Sequence, residues 1–221
     1  MLTLSLVLIA RDEEEAIEGA IQSVEEFCDE IIVFDTGSQD GTFEKALRLA
    51  DRVYRLPVQF LEMDFGQSKS IVSGLARGAY IFNLDADERL TGGEHLISAI
   101  EWMEAANLQA VSFPRRRWAD LQQTKQIELE AYPDYQSRLY RNAPTQIRWS
   151  RALHEELTVK ATPIERFPIF IEHHCDHFHL SNPERANNRL RQRMALAERA
   201  GVKVEGSPEA LRLAKGLDTG R

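Results

Sequence analysis

Cysteine is scarce: Cys28 and Cys175 are the only two in 221 residues, and they sit in unrelated contexts. A disulfide-stapled secreted fold is therefore not expected. No apolar run is long enough to span a bilayer, the N-terminal stretch 1–10 included. That stretch also lacks the basic leader of a secretory signal, so it reads as a buried first strand of a cytoplasmic protein. Positive charge is in deficit, with 27 Lys and Arg against 35 Asp and Glu. The resulting net charge of −8 makes nonspecific nucleic-acid binding an unexpected activity. No Gly-x-Gly-x-x-Gly follows the first apolar run, which argues against a nicotinamide enzyme, and no Walker loop is present. Internal repeats and low-complexity tracts are absent too.

What the sequence does have is alternation. Leu4 to Ile9 reads as a buried strand, and Ile31 to Phe34 as a second. Between them, Ala16, Ile17, Ala20, Ile21, Val24 and Phe27 share one helical face, and the acidic run 12–15 suits a first helical turn. Asp40 is placed to cap a helix carrying Phe43, Ala46, Leu47 and Ala50. A short strand follows at 52–55, then a helix from about Gln67 to Arg77 that Gly78 stops. Ala79 to Leu84 forms another apolar strand. Strand and helix in turn predict a parallel sheet covered by helices on both faces. Later, a helix over 93–106, a strand over 110–114, a late strand near 169–171 and two closing helices after Ser181 are expected. The stretch beyond Trp118 is polar and Arg-rich, with weak periodicity.

In an open parallel sheet, ligands bind beyond the carboxyl ends of the strands. Arg11-Asp12, Asp35 to Ser38 and Asp85 to Asp87 all fall at such ends, on one edge of the sheet. Asp85 and Asp87 share a side if the chain stays extended, and two carboxylates so close favour a cation between them. Mg²⁺ or Mn²⁺ takes one or two carboxylates plus phosphate oxygens. Taken alone, the same two residues are explained more simply by a plain polar turn. Asp35 could accept hydrogen bonds from a base or ribose, or only cap the next helix.

Taken together, the segments 5–14, 29–42 and 82–90 resemble family 2 glycosyltransferases of the GT-A fold, nearest the group of lipopolysaccharide-core β-glucosyltransferases. Weaker similarity continues through Ser137 to Arg141 and Leu153-His154-Glu155. The resemblance implies an α/β fold of GT-A type, a mostly parallel sheet sandwiched by helices, with an irregular acceptor half and C-terminal helices. One domain over 1–221 is implied, with 1–90 the nucleotide-sugar half and 91–221 the acceptor half. Ala10 and Asp12 are placed at the nucleobase, Asp35 at uracil or ribose, and Lys69 near the donor phosphates. Asp85 and Asp87 become the Asp-x-Asp pair, with Asp87 the direct ligand of Mg²⁺ or Mn²⁺. Lys69-Ser70 stands where the family usually has Arg-Asn, and Arg11-Asp12 where it has Tyr-Asn.

Inverting transfer needs a carboxylate to take the acceptor hydroxyl's proton. The resemblance points to Glu155 as that base, with His154 orienting it or helping at the phosphate. An exposed acidic helix start is the other explanation of the same residues. Histidines 173, 174, 177 and 179 flank Cys175 and Asp176 without the spacing of a zinc finger. The resemblance implies that one of them, His174 or His177 by position, meets the metal or the diphosphate. Arg115-Arg116-Arg117-Trp118 and the helical series Arg185, Arg189, Arg193 could meet an anionic acceptor or a membrane surface, or simply be solvated. The expected partners are a nucleotide-sugar donor, UDP-linked by resemblance, and a saccharide or lipid-linked acceptor, with peripheral membrane contact. A nucleotidyltransferase of related fold and a non-catalytic nucleotide-sugar or metal-binding relative are the other functions considered.

Overall fold

The computed structural model describes residues 3–55, 65–127, 133–150, 156–160, 164–169 and 171–173. In chain order the strands are β1 (Leu4–Ala10), β2 (Glu30–Asp35), β3 (Arg52–Arg55), β4 (Tyr80–Asp85), β5 (Glu88–Leu90), β6 (Ala110–Trp118), β7 (Gln126–Ile127), β8 (Asp134–Arg141), β9 (Ile147–Ser150), β10 (Glu156–Val159), β11 (Glu165–Arg166) and β12 (Ile171–His173). The helices are α1 (Ile17–Gln22), α2 (Thr42–Leu49), α3 (Phe65–Ser73) and α4 (His95–Ala105). The main sheet runs β3-β2-β1-β4-β8-β6-β12-β5, with β7 and β11 also paired to β6. β3, β2, β1 and β4 are parallel, whereas β8 lies antiparallel between β4 and β6. The sheet is therefore mixed.

Side-chain alternation along β1 splits the core in two. Leu4, Leu6 and Leu8 pack on one face with Ile17, Ile21, Phe82, Leu96, Ile100 and Phe113. Val7 packs on the other with Ile32, Phe34, Val72, Tyr140, Trp149 and Leu157. So α1 and α4 contribute to the first face, while α3 and the β9–β10 hairpin cover the second. A strand buried on both faces favours apolar residues at nearly every position, which is why β1 reads as an apolar run broken only by buried, hydrogen-bonded Ser5.

Several expectations shift. The acidic run 12–15 precedes α1, and Glu18 is the acidic residue of its first turn. α2 starts one residue beyond its Gly41 cap, and Asp40 accepts the Thr42 N–H (3.0 Å). α3 ends at Ser73, before Gly78. Gly78 has a different duty: a Cβ there would lie 2.7 Å from the Ser5 nitrogen, so glycine permits the close approach to β1. The irregular second half contains β8, eight residues whose polar spacing hid it. Cys28 is a free thiol, its pKa pushed up to about 12 by burial and by Asp29. Cys175 and the two closing helices lie outside the described residues.

Candidate functional site

The parallel register brings the strand ends together. Ala10 at the end of β1 pairs with Asp35 on β2, and Ile9 pairs with Asp85 on β4. Asp35 and Asp85 thus flank the end of β1 on opposite sides, roughly 10 Å apart by two strand spacings.

The loops that leave β1 and β2 are laced to each other. Thr36 donates its N–H to the Ala10 carbonyl (2.9 Å). The Ser38 hydroxyl accepts the Asp12 N–H, and Asp12 Oδ1 accepts the Gln39 N–H, both at 2.8 Å. Glu13 N–H reaches Thr42 Oγ1 (2.7 Å), and Glu14 Oε2 accepts the Gly41 N–H (3.0 Å). Asp12 holds a left-handed backbone (φ 55°), a conformation that Asp and Asn tolerate better than most residues. Gly37 is left-handed as well, at φ 95°. Asp12, placed by resemblance at the nucleobase, therefore spends one carboxylate oxygen on loop backbone.

Asp35 is fully buried. Its carboxylate accepts the N–H groups of Gly37 and Ser38 and lies 3.2 Å from Arg55 Nε. Arg55 also donates to the Ser38 carbonyl (3.0 Å), and its guanidinium sits 4.6 Å from the centre of the Phe43 ring. Sequence reasoning passed over Arg55. The surviving signal is its place opposite Asp35 on the neighbouring strand.

Around Asp85 the structure assembles a buried charge network. Lys69 Nζ lies 3.1 Å from Asp85 Oδ1 and 4.7 Å from the centre of the Trp149 ring. Arg138 Nη2, from β8, reaches Asp85 Oδ2 (2.5 Å) and Glu88 Oε1 (2.6 Å). Glu88 is fully buried, accepts the Asp85 N–H (3.1 Å) and also faces Arg115 at 3.5 Å. Arg115 in turn pairs with Asp134 (2.5 Å). Three carboxylates and three cations therefore interlock at the end of β4, which offsets the large cost of burying any one of them. Behind Lys69, Tyr140 hydrogen bonds to Ser73 (2.7 Å) and accepts the Trp149 Nε1–H (3.2 Å). Burial pushes the Tyr140 hydroxyl up to about 12, against those hydrogen bonds. It stays neutral at physiological pH.

Residues 86 and 87 form a turn between β4 and β5, so the extended path that would align Asp85 with Asp87 ends at Asp85. Both aspartates are half-buried at this turn. Among the described residues no group of three or more His, Cys, Asp or Glu converges on one point. Two carboxylates at a strand end nevertheless match a hard divalent cation that takes its remaining oxygens from phosphate and water. The donor chemistry fits Mg²⁺ or Mn²⁺ on Asp85 and Asp87.

Glu88 and Arg138 also escaped the sequence reasoning as site residues. Period-2 alternation carries a trace of them: Glu88 is two residues from buried Leu90, and Arg138 two from buried Tyr140. Arg115 and Arg116 do not form a surface patch. Arg115 is consumed by Glu88 and Asp134, and Arg116 pairs with Glu172. Glu172 is buried and also accepts Trp118 Nε1–H (2.5 Å) and the Thr91 hydroxyl (2.9 Å). His154, Glu155, His174 and His177 lie outside the described residues, as do Arg185, Arg189 and Arg193. The flanks of 151–155 are described: Ser150 and Glu156 pair across β9–β10, and Trp149 exchanges hydrogen bonds with Ser70, next to Lys69.

A parallel βαβ sheet with a polar, carboxylate-bearing edge at a shared strand end offers the crevice in which open α/β sheets bind their ligands. Residues 5–159 match the sequence model of glycosyl transferase family 2, and the chain belongs to that family. A TPR repeat-containing protein of Synechococcus elongatus is 33% identical over 159 residues, covering 70% of this chain and 35% of the relative. An uncharacterized glycosyltransferase of Rickettsia typhi is 32% identical over 109 residues, covering 49% of this chain and 35% of its own length. The chain thus spans about a third of the length of these curated relatives. The structure of S. aureus TarS in complex with UDP superposes with a TM-score of 0.52 at 13% identity, over 96% of this chain and 69% of that one. That likeness identifies the fold as GT-A-like. No helix among the described residues is long and apolar enough to cross a membrane.

Proposed function

We propose that the protein is an inverting glycosyltransferase that moves a sugar from a UDP-linked donor to a hydroxyl of a saccharide or lipid-linked acceptor. The reading is carried by one observation: Asp35 and Asp85 flank the end of β1, with Lys69 buried at the second of them. The family supplies the reaction class. Uridine as the base draws support from the UDP bound by TarS and from the Asp35–Arg55 pair. A carboxylate beside a guanidinium offers an acceptor and donors together, which suits the uracil edge, where an N–H lies between two carbonyls.

In this reading residues 1–90 form the donor half and 91–221 the acceptor half. The Ala10 carbonyl and the laced loops at Asp12 and Ser38 shape the base pocket. Lys69 faces the diphosphate and opposes its charge. Asp87, with Asp85, would hold Mg²⁺ or Mn²⁺, which when bound would neutralise charge on the departing diphosphate. Glu155, oriented by His154, takes the proton of the acceptor hydroxyl. That oxygen then bonds to the anomeric carbon as the carbon's bond to the diphosphate breaks, and UDP leaves with the electron pair. His174 or His177 serves the metal or the diphosphate. A lipopolysaccharide-core saccharide as acceptor, and work at the cytoplasmic face of a membrane, rest on the resemblance of segments 5–14, 29–42 and 82–90.

Calorimetric titration with UDP, with and without Mn²⁺ and against GDP, ADP and CMP, tests the donor assignment. Metal-dependent UDP binding that disappears in Asp87→Ala is expected. Binding of another nucleotide in preference would reassign the donor, and no binding at all would leave a non-catalytic relative.

A further inference from the structure

We infer that Trp149 is the positioning residue of Lys69: its indole face holds the ammonium at the end of β4 without neutralising it. The ring thereby sets how tightly a diphosphate is gripped. This role rests on the donor reading above and adds to it the residue that orients the phosphate-facing cation. Lys69 Nζ lies 4.7 Å from the centre of the Trp149 ring, within the range of a cation–π contact. Both residues are buried, Lys69 at 4% and Trp149 at 6% exposure, the setting in which such a contact is strongest.

The ring is fixed independently of the lysine. Its Nε1–H is donated to the Tyr140 hydroxyl (3.2 Å), which is itself hydrogen bonded to Ser73 (2.7 Å). The Tyr140 ring meets it edge to face, with the centroids 6.0 Å apart. The backbone is gripped as well. The Trp149 N–H donates to Ser70 Oγ (3.0 Å), and the Trp149 carbonyl accepts from the same hydroxyl (3.3 Å). Lys69, Ser70 and Ser73 all belong to α3, so one helix carries both the cation and the anchors of the ring that backs it. Leu157 pairs with Trp149 across the β9–β10 hairpin and holds it from the other side.

A lysine benefits from such a support. Its ammonium is a point charge at the end of a flexible four-carbon stem, and ordering that stem on a ligand costs rotamer entropy. A second carboxylate would order the stem equally well but cancel the charge. An aromatic face attracts the cation through its quadrupole and leaves the full charge in place. Asp85 Oδ1, at 3.1 Å, supplies the direction and Trp149 the backing. The cation therefore meets an incoming diphosphate already ordered, which favours binding.

Calorimetric titration of the whole protein with UDP, in the presence of Mn²⁺, compares the parent with Trp149→Phe and Trp149→Leu. Phenylalanine keeps an aromatic face, and leucine fills the space without one. UDP is expected to bind Trp149→Phe within about threefold of the parent and Trp149→Leu about tenfold more weakly, the scale of a buried cation–π contact. Equal losses in the two variants, or no loss in either, overturn the inference. Tryptophan emission gives a readout that lost packing does not imitate. Lys69→Met is expected to shift the emission of the nucleotide-free parent and to leave that of Trp149→Phe unshifted. No shift in the parent, or the same shift in both, also overturns it. If Trp149→Leu fails to fold, this emission contrast decides. UDP that binds none of these proteins, the parent included, defeats the donor reading and the grip on diphosphate with it. UDP that binds the parent and a folded Trp149→Leu alike defeats only the role of Trp149.

Discussion

The parallel strands β3, β2, β1 and β4 and the antiparallel pair β8–β6 lie in one sheet, but different forces hold them. The parallel part is largely apolar: Leu6, Val7, Leu8, Ile32, Val33, Phe34 and Phe82 are fully buried, and buried Asp35 stands at a strand end. The antiparallel part meets it through ions as well as through apolar contacts such as Phe82 against Phe113. Arg138 of β8 and Arg115 of β6 are drawn in by Asp85, Glu88 and Asp134, across sequence separations of up to 53 residues. Apolar burial is non-directional and tolerates modest repacking. A buried ion network fixes geometry and fails when a partner is removed. The first part supplies the apolar framework, and the seam between the two supplies the buried charge.

Breaking the seam has the largest expected effect. Glu88→Ala leaves Arg138 and Arg115 without their shared buried carboxylate and should cost about 3–5 kcal/mol in urea denaturation. Next comes the parallel part: Leu8→Ala removes a fully buried side chain from the centre of β1. The cavity should cost about 2–5 kcal/mol, leaving the denaturant slope unchanged. If Leu8→Ala proved harmless and Glu88→Ala too, the contrast drawn here would dissolve.

Smaller changes sharpen it. Asp12→Ala removes the acceptor for the Gln39 N–H and places alanine at a left-handed backbone. A loss of about 1–2 kcal/mol is expected, with weaker UDP binding measured in the same sample. The smallest effect concerns pH. Burial raises the Glu30 carboxyl, but the Arg77 N–H, the Ser5 hydroxyl and Arg52 outweigh it and hold the group below its ordinary value of 4.5. A depressed folded value gives stability that is complete above the ordinary value and lost as pH falls through the folded one. Glu30→Gln should therefore flatten the acid limb of stability against pH by a few tenths of a kcal/mol, the scale of a partly exposed pair.

The same contrast explains what could be read from the sequence. β1, β2 and β4 were legible because strands buried on both faces are written as apolar runs, and Asp35 and Asp85 because each run ends on a carboxylate. β8 was not legible. In Asp134–Arg141 the inward positions include Arg138, a charge that alternation assigns to solvent. Glu88 hid in the same way, inside an acidic turn that looked exposed. Periodicity reports affinity for water, and a charge whose partner stands 50 residues away carries no local mark. The histidine cluster drew attention through its composition, while neighbouring Glu172, buried against Arg116, Trp118 and Thr91, did not.

Hydrogen exchange, followed by mass spectrometry on the whole protein with and without UDP and Mn²⁺, tests the placement of the site most directly. Protection is expected to concentrate in three segments distant in sequence: 10–14, 35–42 and 85–88. Protection confined to other segments, with UDP demonstrably bound, would contradict it.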